Sequence, residues 1–214
     1  MPHRPQAALE PRKSPVQARS TASVDAILGA TIQVLLQVGK ERLTTTKVAF
    51  RAGVSVGTLY QYFPNKSALL KAVLRRHMDE VTKAIELVCH AQKGRSLEHM
   101  ATALITAFLA AKMKDAKTSV ALYSISSDVD GAQIAREMAI QSNKSIAGML
   151  KTAADPLLTD PQVAASMLHS VMTGVSRGLL ESTAPEKQLE MLRQETIFLA
   201  RAYLNACSAR LLTN

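Results

Sequence analysis

Side chains able to do chemistry are sparse in this chain, and their spacing argues against an enzyme. His77, His90, His99 and His169 fall in no His-Glu-x-x-His pattern, and Cys89 and Cys207 form no Cys-x-x-Cys pair, so no metal site and no cofactor is expected. No glycine-rich phosphate loop or Gly-x-Ser-x-Gly elbow occurs. Glu86 and His90 are an isolated i,i+4 pair, while Asp128 and Asp130 read as helix-start residues. What is concentrated is another chemistry, that of phenolic and threonine hydroxyls beside cations. Phe50, Tyr60, Tyr62 and Phe63 lie within 14 residues of one another in a chain with only 4 Phe and 4 Tyr. Residues 1–80 hold 12 of the 26 Lys/Arg and 5 of the 17 Asp/Glu, net +7, which leaves 14 against 12, net +2, for residues 81–214. A basic module joined to a nearly neutral one points to a polyanionic partner, nucleic acid or an anionic membrane surface.

The elements that must position these groups are helical. Four prolines among the first 18 residues, with Arg4, Arg12 and Lys13, predict a flexible basic arm over 1–18. Val24, Ile27, Leu28, Thr31, Leu35 and Val38 then follow a 3.6-residue period, with Ser23 as N-cap and Gly39 as the stop. Thr44 caps a short helix over 45–52, and Gly53 supplies a left-handed turn. Val54 is a buried spacer, and Ser55 caps a second short helix, Val56 to Tyr62. After the turn Phe63-Pro64-Asn65, Lys66 opens a long helix ending near Gly94. Further helices are expected at about 96–113, 117–127, 131–154, 161–182 and 186–211, with no sustained period-2 alternation. The fold class is all-α, about nine helices.

Residues 44–63 read as a helix-turn-helix. Two short helices crossing steeply through a three-residue turn need Gly53, and only Ala49 fits at the crossing. Val48, Val54 and Leu59 fasten the pair to the preceding helix, freeing one face of 56–62 for a major groove. At this point the sequence resembles the DNA-binding domain of the TetR (tetracycline repressor) family of bacterial transcription regulators. The resemblance rests on Leu43-Thr44-Thr45, Val48-Ala49, Ala52-Gly53-Val54-Ser55 and Gly57-Thr58-Leu59-Tyr60-x-Tyr62-Phe63-x-Asn65-Lys66. It covers some 60 residues within a domain placed at 19–79, and assigns 80–214 to ligand binding and dimerisation.

The resemblance implies that Thr45 holds a phosphate at a helix N-terminus, that Tyr60 and Tyr62 donate to the DNA backbone, and that Lys66 adds a charged contact. It gives base reading to Thr46, Val56, Gly57, Thr58 and Gln61, beside the Ser55 cap, with Gln61 suited to pairing bidentately with adenine. Phe50 departs from the polar residue usual there, and packing onto the first helix is expected of it.

The family's C-terminal part is a variable helical body that binds a small molecule and dimerises through its last two helices. Methionines suit an adaptable apolar pocket, and Met100, Leu104, Phe108, Leu122, Tyr123, Met138 and Met172 are the expected lining. No cluster of acids or bases marks a ligand charge, so the effector is expected to be largely apolar. Small residues four apart, Gly174 and Gly178, with Val171, Val175, Leu199 and Tyr203, fit a two-fold four-helix interface.

The sequence therefore predicts a ligand-responsive repressor, a homodimer on a palindromic double-stranded DNA operator, with the helix from Lys66 as its lever. A helical small-molecule-binding protein or a protein adaptor that has lost DNA binding stays open as the alternative. The opening residues MPHRPQAALEPRKSP hold no apolar run, and the most apolar stretch, 100–111, is too short to span a bilayer, so a cytoplasmic protein without membrane association is expected.

Overall fold

The computed structural model describes residues 15–208, and among them every regular element is helical. The helices are α1 (Pro15–Arg42), α2 (Thr45–Ala52), α3 (Val56–Tyr62), α4 (Lys66–Ala91), α5 (Leu97–Met113), α6 (Ala116–Ile125), α7 (Gly131–Leu150), α8 (Pro161–Glu181) and α9 (Pro185–Ser208), with a 3-10 turn at Ser126–Asp128. The chain divides between Leu69 and Leu70, inside α4, into two compact units.

In the first unit α1 begins at Pro15, so the last four residues of the expected arm are helical and Ser23 is interior, not a cap. Proline has no N–H to lose in a first helical turn, which is why Pro15 starts the helix instead of preventing it. Residues 1–14, the remainder of that arm, lie outside the described residues. Gly39 takes φ 75° and ψ 168°, which breaks the helical path before Lys40. Within α1, Ser20–Arg42 is long and apolar enough by composition to cross a membrane, with mean hydropathy 1.4. That property therefore belongs to α1 and not to the stretch 100–111. Ile27, Val34 and Leu35 of this segment are buried in the unit's own core, together with Leu43, Val48, Ala49 and Leu59.

The turn joining α2 to α3 follows from Gly53, whose φ of 68° is left-handed. Its N–H bonds to the Phe50 carbonyl at 3.2 Å and that of Val54 to Ala49 at 3.0 Å, which satisfies the last carbonyls of α2 in a Schellman arrangement. The Ser55 hydroxyl accepts from Thr58 N–H at 2.9 Å and caps α3. Val54, expected to be buried, is half-buried.

The second unit has its own core, running from Val81 of α4 to Leu204 of α9. Helix α5 lies against α9, α7 against α8, and α8 against α9. Helix α5 supplies the most buried apolar face, with Leu97, Met100, Leu104, Ile105, Phe108 and Leu109 all inside. Its start is fixed twice. Ser96 accepts from His99 N–H, and Leu97 N–H donates to Asp155 at 2.7 Å. Helix α7 stops at Leu150, earlier than residue 154, where Thr152 folds its hydroxyl onto the Met149 carbonyl at 2.7 Å.

Candidate functional site

The hydroxyls and cations of the first unit are held by α2, α3 and the start of α4, some exposed and some half-buried. The Thr44 hydroxyl accepts from Lys47 N–H at 3.3 Å, and the first bond of α2 runs from Val48 N–H to the Thr44 carbonyl at 3.1 Å. The N–H groups of Thr45 and Thr46 precede that bond and have no carbonyl of their own helix to meet, which makes this end attractive to an anion. Across the motif, Thr45 Oγ1 and Tyr60 Oη are 3.0 Å apart, a hydrogen bond that joins the start of α2 to the end of α3. The two groups assigned to phosphate are thus one unit of structure.

On α3, Leu59 is fully buried while Val56, Gly57, Tyr60 and Gln61 are exposed. The 3.6-residue period does this: one anchor turned inward leaves the remaining faces of a seven-residue helix outside. Thr58 is half-buried, its Oγ1 2.8 Å from Ser55 Oγ. A Cβ built at Gly57 would meet only Ser55 Oγ, at 3.7 Å, an ordinary contact. No contact within the described residues requires glycine there. Tyr62 is half-buried.

Lys66 is placed differently from the expectation of a purely outward cation. Its Nζ donates to the Lys40 carbonyl at 2.8 Å, tying the start of α4 to the segment past the Gly39 break. Two protons of that ammonium remain to donate elsewhere. Lys47, absent from the sequence-based set, donates to the Arg42 carbonyl at 2.8 Å from an exposed position beside α2. Phe50 is not packed onto the first helix; it is 89% exposed. Val48 and Ala49 take the inward positions of α2, and a residue two places beyond Val48 lies about 200° around the helix.

The second unit contains a cavity of about 350 Å³ between α4, α5, α7 and α8. Its apolar wall includes Val81, Ile85, Phe108 and Met138. Of the seven residues expected to line a pocket, Phe108 and Met138 do so. Met100, Leu104, Leu122 and Met172 are wholly buried core side chains, and Tyr123 turns its hydroxyl to Glu181 at 2.6 Å.

Charge, which the sequence did not reveal here, is present: Lys112, Arg136 and His169 line the cavity, and among the described residues no Asp or Glu does. Burial pushes Lys112 below the usual lysine range, and burial likewise lowers His169. His77, close by, falls to about 4 through burial first and then the charge of Lys112, against a smaller opposing pull from Asp115. The signal lay in register. Ala101, Ile105 and Phe108 are buried on α5, and Lys112 continues that apolar spacing.

The dimer candidates divide. Gly174 and Gly178 are exposed on α8, with open space around an added Cβ, and Leu199 is 49% exposed on α9. Val171 is half-buried, whereas Val175 and Tyr203 pack partly onto the unit's own core. Met167, Met191 and Phe198 are exposed apolar residues of the same two helices. Large apolar side chains at positions off the buried face of each helix are the signal that would have found them.

A short helix pair joined through a left-handed glycine, followed by a separate helical body with a cavity, defines the class of helix-turn-helix proteins with an all-helical second domain. The chain belongs to the TetR family: residues 27–73 match "Bacterial regulatory proteins, tetR family" and residues 96–204, about half the chain, match "Tetracyclin repressor-like, C-terminal domain". Among curated proteins, the HTH-type transcriptional regulator BetI of Escherichia coli (strain K12 / DH10B) is 32% identical over 79 residues, 37% of this chain. That match spans only 40% of the relative's length. Among solved structures, SmeT, the repressor of the Stenotrophomonas maltophilia multidrug efflux pump SmeDEF, superposes with a TM-score of 0.67 at 21% identity, covering 86% of this chain and 91% of that one. A TetR-family transcriptional regulator from Streptomyces coelicolor gives 0.61 at 21% identity, covering 86% and 99%. At such identity these structures establish the fold.

Proposed function

We propose that this protein is a sequence-specific DNA-binding transcriptional repressor, acting in the cytoplasm as a homodimer and released from a palindromic operator by a small molecule. The observation that carries the reading is the outward face of α3, where Gly57 and Gln61 are exposed and Tyr60 is coupled to Thr45 at the N-terminus of α2. In this reading Thr45, Tyr60, Tyr62 and the remaining protons of Lys66 hold phosphates and set register. Thr46, Val56, Gly57, Thr58 and Gln61 meet base edges in the major groove, and Lys47 adds a cation nearby. The exposed residues of α8 and α9, Gly174, Gly178, Leu199 and Phe198 among them, form the two-fold interface.

A ligand in the cavity between α4, α5, α7 and α8 binds one spacing of the two reading heads better than the other. It thereby shifts the population away from the form that matches half-sites about 34–36 Å apart. Footprinting the purified protein on DNA flanking its own gene tests the whole reading. The expected result is a protected palindrome whose affinity falls steeply with salt, because each neutralised phosphate contributes about −0.9 to the log–log slope. Protection without two-fold symmetry, or affinity indifferent to salt, would overturn it in favour of a helical ligand-binding protein.

A further inference from the structure

The cavity's polar groups carry more information than its apolar wall. Thr82, Thr173 and Ser176 all line it, yet each hydroxyl donates to a carbonyl of its own helix: Met78 at 3.0 Å, His169 at 2.9 Å and Thr173 at 3.0 Å respectively. Their protons are committed, which leaves the Ser142 hydroxyl as a neutral donor and Lys112, Arg136 and His169 as the nitrogen donors of the lining. The ammonium of Lys112 is the most telling of these. Among the described residues its only side-chain partner is the thioether of Met78, 3.6 Å away, a weak acceptor for a cation. Among the described residues no carboxylate lies within ion-pair distance of it. Asp115, three residues on, is turned to cap α6 through the Thr118 hydroxyl at 2.6 Å and its N–H at 3.0 Å. Glu137, the neighbour of Arg136, is paired with Arg75 instead.

A half-buried lysine without a counter-ion is costly, and proteins keep such groups paired or use them. Here the ammonium stands at the edge of an apolar space on a helix whose other inward residues are apolar. We infer that the cavity takes an organic monoanion, a carboxylate on a compact apolar body, with Lys112 as the residue that recognises its charge. The inference rests on the proposed ligand-responsive reading and names that ligand's class. Val81, Ile85, Phe108 and Met138 would hold the apolar body, while the carboxylate replaces the Met78 sulfur at Lys112. Arg136, exposed at the rim, and His169 supply the second and third donors. The volume is near the lower end of the range for small-molecule sites, about 300–1,000 Å³, which favours a body of one ring or a short chain.

Isothermal titration of the full-length protein at pH 7 with 4-phenylbutyrate, 4-phenylbutanol and 4-phenylbutylamine separates charge from apolar burial. The series is repeated with octanoate and octanol to vary the body. The carboxylate is expected to bind about tenfold to a hundredfold more tightly than the alcohol of the same body, the worth of a charge-assisted hydrogen bond, and the amine more weakly still. Lys112→Met, close in shape, should erase the preference while retaining the alcohol's affinity and the helical circular dichroism. Lys112→Arg should restore most of it. Equal binding of acid and alcohol, no binding of either acid at millimolar concentration, or a preference that survives Lys112→Met would each overturn the inference. Operator affinity, measured in parallel without ligand, keeps the two ideas apart. A failed carboxylate preference with intact operator binding rejects this inference alone, whereas carboxylate binding without any operator rejects the repressor reading alone.

Discussion

The two units solve opposite problems with the same secondary structure. The first turns its chemistry outward: α2 and α3 bury Val48, Ala49 and Leu59 and leave Thr46, Gly57, Tyr60 and Gln61 at the surface. The second turns chemistry inward, enclosing Lys112 and His169 beside Phe108 and Met138. An outward site needs only a short stretch of chain, since every contact lies within some 20 residues. An inward site needs four helices spread over most of the unit. That contrast governs which changes each region tolerates.

The largest effects should come from the anchors. Leu59→Ala and Leu104→Ala each remove a wholly buried side chain and should cost about 2–5 kcal/mol in urea unfolding. If the contrast holds, Leu59→Ala also abolishes DNA binding, while Leu104→Ala changes ligand affinity through loosened packing and leaves the α3 surface intact. Equal loss of DNA binding in both variants, at temperatures where both are folded, would blur the distinction.

Acid should reach the inward region through His77. Its pKa is lowered from 6.5 to about 4 by burial and by Lys112, so the unfolded chain takes up a proton that the folded state refuses. The stability linked to His77 is complete above about pH 6.5 and is lost as pH falls towards 4, by about 3 kcal/mol. Urea midpoints of the wild type should therefore fall more between pH 7 and 4.5 than those of His77→Gln, which retains a donor towards Ser119. Parallel pH profiles for the two proteins would contradict this.

Two glycines sharpen the comparison with smaller effects. A Cβ at Gly131 would lie 2.6 Å from the Ser126 carbonyl oxygen, so Gly131→Ala must displace backbone and should cost about 1–3 kcal/mol. Gly57→Ala meets no such obstacle and should leave the melting temperature unchanged or slightly raised, since alanine favours helix by up to about 1 kcal/mol. Its penalty should appear only in operator affinity. The smallest response is expected from the thiols. Cys89 is buried and pushed up to about 12, first by burial and then by Glu86, so it should resist alkylation at pH 8 until the protein unfolds.

The same contrast explains what was legible beforehand. The caps Thr44 and Ser55, the left-handed Gly53 and the bounds of α2 and α3 follow from local rules acting over a few residues, and the sequence conveys such rules directly. Lys66 was harder, because its bond to the Lys40 carbonyl depends on how the chain turns at Gly39. The cavity was hardest. Methionine content pointed to Met100 and Met172, yet both are core, because apolar type does not say which side of a helix meets a void. Lys112 was visible only as a charge in an apolar register, and its lack of a carboxylate partner depends on where Asp115 and Glu137 turn. Phe50 failed for the complementary reason: aromaticity suggested burial, but its place on α2 faces solvent.

The measurement closest to the central claim is the base-preference profile of Gln61→Ala on the footprinted operator, with every position of one half-site permuted and the salt held constant. If the outward face of α3 reads the major groove, the variant loses about 1–3 kcal/mol and its discrimination relaxes at one position per half-site, while the remaining positions keep their preferences. A uniform loss across all positions, or no loss at all, would contradict that assignment.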